Sequence, residues 1–238
     1  MNDASIQELV GYVTIVLELI YHQEWAKLEK VIAQQKLFRL ISEHIQKCDE
    51  FHGMTLLHAA LKNHPPQHIL EAMIMAHSDA LAGQDCLGRT PLHVACGSCA
   101  DARIIRRLVS SFPYACDLPD EDGRLPLHIA CDTACVLFEG DETPRAPPSY
   151  DAVRALLSGS LRSTLVEDED EMNPIEYAIV SDLDLKTVRL LQKASMMVRR
   201  QDAQSGSDDD GSTTNRTTAA ANNAKPIAPL PRNILGYC

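Results

Sequence analysis

Gly88-Arg89-Thr90-Pro91-Leu92-His93-Val94-Ala95 decides the fold, because the same frame occurs three times. Gly53-Met54-Thr55-Leu56-Leu57-His58-Ala59-Ala60 stands 35 residues before it, and Gly123-Arg124-Leu125-Pro126-Leu127-His128-Ile129-Ala130 stands 35 residues after it. Glycine admits positive φ in a tight turn, and Thr followed by Pro supplies an N-cap and a first helical residue. A turn therefore feeds a helix in each unit. Beyond the polar break Gly97-Ser98, Ile104, Ile105, Leu108 and Val109 form a second apolar stripe at helical spacing. Each unit is predicted to be a helical hairpin, and a hairpin of this size cannot bury both stripes alone. Stacked units sharing one continuous core solve that problem.

Thr90-Pro91-Leu92-His93-Val94-Ala95 resembles the T-P-L-H-x-A signature of the ankyrin-repeat family at every defined position. The frame at Thr55 lacks the proline, and the frame at Leu125 lacks the threonine. Asn173-Pro174-Ile175-Glu176-Tyr177-Ala178 keeps the proline and the alanine but puts Glu176 where the signature has histidine, as a terminal cap would. A first unit without the signature is expected from a helix around Val10 to Ile20, followed by Trp25, Leu28, Val31 and Ile32. The resemblance implies an all-α ankyrin-repeat solenoid of stacked helical hairpins with turn or β-hairpin fingers over residues 5–196. Its repeats would span about 5–48, 49–84, 85–119, 120–167 and 168–196. Pro126 and Pro174 are 48 residues apart, 13 more than the period, so the fourth unit carries an insertion, placed at 138–148 as an exposed loop. From 197 the composition turns to Ser, Asp, Gly, Thr and Asn, and 197–238 is expected to be a disordered tail.

The 238 residues hold 22 basic and 33 acidic side chains, a net charge of -11 that repels a phosphate backbone, so nucleic acid is not an expected partner. Glu8 and Glu18 interrupt the apolar run Ile6 to Tyr21, which reads as a buried helix rather than a membrane segment. Eight cysteines without a secretory leader point to a reducing compartment, cytoplasmic or nuclear.

His58, His93 and His128 invite a catalytic or metal reading, but the resemblance implies a structural role, each side chain bonded to neighbouring loop backbone. Cys96-Gly97-Ser98-Cys99, with Cys131 and Cys135 one repeat later, raises an alternative function as a zinc- or thiol-dependent protein. Against it, Cys96 and Cys131 directly follow the signature alanines, where a small apolar side chain is buried. The chain contains no phosphate loop, nucleophile elbow or H-E-x-x-H helix, so no catalytic residue and no cofactor is expected. What remains is a non-catalytic protein–protein interaction module, an adaptor, scaffold or regulator, and a monomer by default. The resemblance implies contact through turn tips and the exposed side of each first helix. Here these are Phe51, His52, Met54, Leu87, Arg89, Glu121, Asp122, Arg124, Asp132, Glu169, Asp170 and Met172. The tips turn from mixed to acidic along the array, which suits a protein partner with a basic segment.

Overall fold

The computed structural model describes residues 3–137 and 146–205. Most of the expected insertion, and the tail beyond residue 205, lie outside them. Eleven α-helices run in order: α1 (Asp3–Tyr21), α2 (Trp25–Ile32), α3 (Gln35–Lys47), α4 (Leu56–Lys62), α5 (Gln67–Ala76), α6 (Pro91–Gly97), α7 (Ala102–Ser111), α8 (Pro126–Cys131), α9 (Tyr150–Gly159), α10 (Pro174–Val180) and α11 (Leu185–Ser205). No strand forms among the described residues. The inner helices α1, α4, α6, α8 and α10 contact one another in sequence, and α5, α7, α9 and α11 form an outer row, with α2 and α3 against α5.

Residue pattern explains the rows. In α7, Ile104, Ile105, Leu108 and Val109 are buried while Arg103 and Arg106 face solvent, so one stripe meets the core. The Asp101 carboxylate accepts the Arg103 N–H at 2.8 Å and starts the helix. The inner helices are only six or seven residues long from α4 to α10, too short to persist alone, and nearly every side chain of α6 is buried between neighbours.

Two boundaries differ from the sequence reading. The first unit has three helices instead of a hairpin, because Phe38, Ile41 and Ile45 give α3 its own buried stripe. At the other end α11 continues to Ser205, nine residues beyond the expected boundary at 196: buried Val198 carries it past that boundary, and the turns that follow are exposed.

Between outer and inner helices the chain forms fingers. Asp85 N–H donates to the Arg89 carbonyl (3.0 Å) and Gly88 N–H returns to the Asp85 carbonyl (2.9 Å), a closed turn too small to register as a strand pair. Asp120 with Arg124, and Asp168 with Met172, repeat the geometry. Neighbouring fingers are joined by Glu121 N–H to the Leu87 carbonyl (2.9 Å) and Glu169 N–H to the Asp122 carbonyl (3.0 Å).

Gly53, Gly88 and Gly123 sit at φ of 76°, 71° and 75° where the next finger packs against them. A Cβ on Gly53 would lie 2.5 Å from the Gln84 carbonyl oxygen. The fifth unit has no finger beyond it among the described residues, and Glu171 takes the same left-handed place at φ 61°. Gly53→Ala is therefore expected to cost about 2–3 kcal/mol, from the left-handed penalty and the backbone clash. Glu171→Gly, relieved of the same penalty, should gain up to about 1 kcal/mol. Urea unfolding of the two variants checks both; equal signs would remove the argument.

Candidate functional site

The signature histidines hold the units together. Thr90 N–H donates to His93 Nδ1 at 3.0 Å, so Nδ1 is an acceptor, Nε2 carries the proton, and it donates to the Arg124 carbonyl at 3.0 Å. His58 repeats this with Thr55 N–H and the Arg89 carbonyl (3.0 and 2.8 Å). His128 does so with Leu125 N–H and the Val166 carbonyl (2.9 and 3.0 Å). Each ring thus caps its own helix and clamps the following unit, His58 and His93 at its finger and His128 at Val166 just before it. Burial lowers all three below the ordinary histidine range, His93 to about 4, which keeps the rings neutral. In the fifth unit Glu176 retains only the cap, accepting Asn173 N–H at 2.8 Å, and is exposed. Tyr177 closes this unit differently, donating its hydroxyl to Asp168 Oδ2 at 2.7 Å and meeting the His128 ring edge-on.

Cys96, Cys99, Cys131 and Cys135 do not form a centre among the described residues. Cys96 and Cys131 are buried, Cys99 is exposed, and burial pushes the Cys131 thiol up to about 12, far from thiolate reactivity. Among the described residues no group of three or more His, Cys, Asp or Glu is placed to hold a metal ion. The zinc- or thiol-dependent alternative is without support.

The candidate contact residues divide into three sets. Leu87, Glu121, Asp122, Glu169 and Asp170 are exposed at finger tips, and His52 is exposed in the first finger. The tips are rigid because Asp120 Oδ1 accepts the N–H groups of Asp122 and Arg124 (3.1 and 2.8 Å), and Asp168 Oδ1 those of Asp170 and Met172 (3.1 and 3.0 Å). Phe51, Arg124, Asp132 and Met172 are half-buried beneath the tips.

Met54 and Arg89 correct the reading: they are only 4% and 3% exposed. The residue before each N-cap folds back along its finger, and Arg89 lies against Asp85, Nε to Oδ2 at 2.8 Å. A guanidinium so buried is retained by its pairing and is not a finger-tip contact.

A contact that the sequence reading missed lies beside Arg89. The inner helices of other units end in a left-handed residue, His64, Cys99 or Asp182, with φ of 54°, 53° and 51°. In the fourth unit Asp132 is instead extended (φ -91°, ψ 98°), and the chain leaves the repeat path there, six residues before the expected insertion. Thr133–Leu137 then runs back toward the third unit. Cys135 is buried and its sulfur accepts from Arg124 Nη1 at 3.5 Å, while the Leu137 carbonyl accepts from Arg89 Nη1 at 2.6 Å. Leu137 seats on Gly97, where a Cβ would fall 1.5 Å from its Cδ1. Gly97 is the one signal present in the sequence: a glycine inside a helix, where the equivalent positions are Lys62 and Asp132, marks a close approach.

No helix among the described residues is long and apolar enough to cross a membrane. None of the curated proteins matches the sequence. The family described as Ankyrin repeats (3 copies) matches residues 56–142, which take in the helices α4 to α8 and all three histidine clamps. Such repeats are in general protein–protein interaction modules. The glycine at each finger, the histidine that caps one helix and reaches the next unit, and the stacked short inner helices agree with that match, so residues 56–142 are a run of ankyrin repeats.

Proposed function

We propose that this chain is a non-catalytic adaptor or regulator that binds a protein partner, as a monomer, in the cytoplasm or nucleus. The observation that carries it is the row of exposed carboxylates at Glu121, Asp122, Glu169 and Asp170, held on fingers locked to one another by backbone hydrogen bonds. Side chains presented on a pre-ordered backbone lose little entropy on binding. The partner's complementary feature is a basic segment toward the fourth and fifth units, with an apolar contact near Leu87 and Phe51.

Peptides selected from a random display library on the full chain should be enriched in Lys and Arg. Their association should slow about tenfold or more between 50 and 300 mM salt, as steering between opposite charges does. Glu169→Lys with Asp170→Lys should abolish the salt dependence while leaving the fold intact, since both side chains are exposed. Selected peptides without basic residues, or association indifferent to salt, would reject the acidic-finger reading.

A further inference from the structure

We propose that Cys135–Leu137 is a resident, displaceable occupant of the binding groove at the third and fourth units, an autoinhibitory contact built into the fold. The inference rests on the interaction-module reading above.

Arg89 and Arg124 stand at equivalent positions one repeat apart, each just before the start of an inner helix, α6 and α8. Both arginines touch the strap, Arg89 from a buried position and Arg124 from a half-exposed one where it also pairs with Asp122. Arg124 meets the Cys135 sulfur and Arg89 the Leu137 carbonyl, two residues further along the chain. Two residues of chain reach at most roughly 7 Å, on the scale of the spacing between stacked helices. The strap therefore lies across the stack, its backbone read by one guanidinium and its leucine by a glycine seat. Val136, between the two anchors, is 63% exposed, so the strap is held at alternate residues as an extended peptide ligand would be.

Leu137 is only half-buried, and Arg89 is held by Asp85 independently of the strap. The site would thus persist, pre-formed, after the strap leaves. The ligand it takes is an extended apolar segment with a leucine at the Gly97 seat and a free carbonyl toward Arg89. Such a segment in trans competes directly with the strap.

The test uses the full chain and a fluorescent synthetic peptide with the sequence of residues 132–138. Leu137→Asp places a carboxylate on the apolar seat and should expel the strap; the peptide should then bind about tenfold tighter than to the unmodified chain, the factor expected when nine-tenths of sites are self-occupied. Adding Gly97→Val to that variant should fill the seat and remove the binding. If Leu137→Asp disturbs the circular dichroism spectrum, Leu137→Gly serves in its place. Peptide affinity that is unchanged by loss of Leu137, or that survives Gly97→Val, overturns the proposal. Failure here, with basic peptides still selected by the acidic fingers, removes the strap and leaves the function standing. Strap displacement without any charge-dependent partner does the reverse.

Discussion

His93→Ala will lower the free energy of unfolding by about 4 kcal/mol, and Glu176→Ala by less than about 1 kcal/mol, although the two positions are equivalent in the repeat. Removing the His93 ring leaves the Thr90 N–H and the Arg124 carbonyl without their partners inside the stack. Each buried group so orphaned costs about 1–3 kcal/mol, and the cavity left by a fully buried ring adds to that. Glu176 gives up one exposed cap bond and nothing between units. Because a solenoid is stabilised by nearest-neighbour interfaces, the loss at His93 falls on the junction between the third and fourth units. The urea transition of His93→Ala should therefore also become less cooperative, with a smaller dependence on denaturant. Equal costs at positions 93 and 176 would show that the clamp contributes nothing beyond the cap.

The parts of the fold that were legible in the sequence are those fixed by local chemistry and repeated at one period. The finger glycines, the Pro91 and Pro126 helix starts and the Ile104–Val109 stripe each state their role within a few residues. The replacement of histidine by Glu176 likewise marked the last unit among the described residues. What was not legible depends on contacts distant in sequence. Nothing local distinguishes Arg89 from Arg124, yet one is sealed beneath Leu137, 48 residues away, and the other remains half-exposed. Met54 looked like a tip residue because the tip-facing and inward-facing positions of a finger are adjacent, and periodicity does not resolve a turn of four residues. The extra helix α3 was missed for the opposite reason: its stripe is clear, but the first unit lacks the signature that sets the frame for the others.

Acidification from pH 7 to about 4.5 will destabilise the chain by about 3 kcal/mol through His93 alone, with His58 and His128 adding losses of the same sign. Burial is the principal cause at all three, because an imidazolium in these sites has no water around it and its Nδ1 already accepts a backbone N–H. In the unfolded chain a histidine takes up a proton near pH 6.5, whereas folded His93 stays neutral until about 4. Across that interval the unfolded state binds more protons, so stability is full above pH 6.5 and falls by up to about 1.4 kcal/mol per pH unit for each ring as pH drops. Asp120 acts with the opposite sign, since burial raises it and the folded state holds its proton more readily. Its contribution is confined to the lower part of the interval, near and above the ordinary carboxylate range. Urea midpoints at pH 7, 6 and 5 should decline steadily in the unmodified chain, and His93→Gln should start lower but decline less steeply. A midpoint that stays level between pH 6.5 and 4.5 would mean that the rings accept protons while folded. The carbonyls they donate to in the next unit would then have to be held by something other than three neutral clamps.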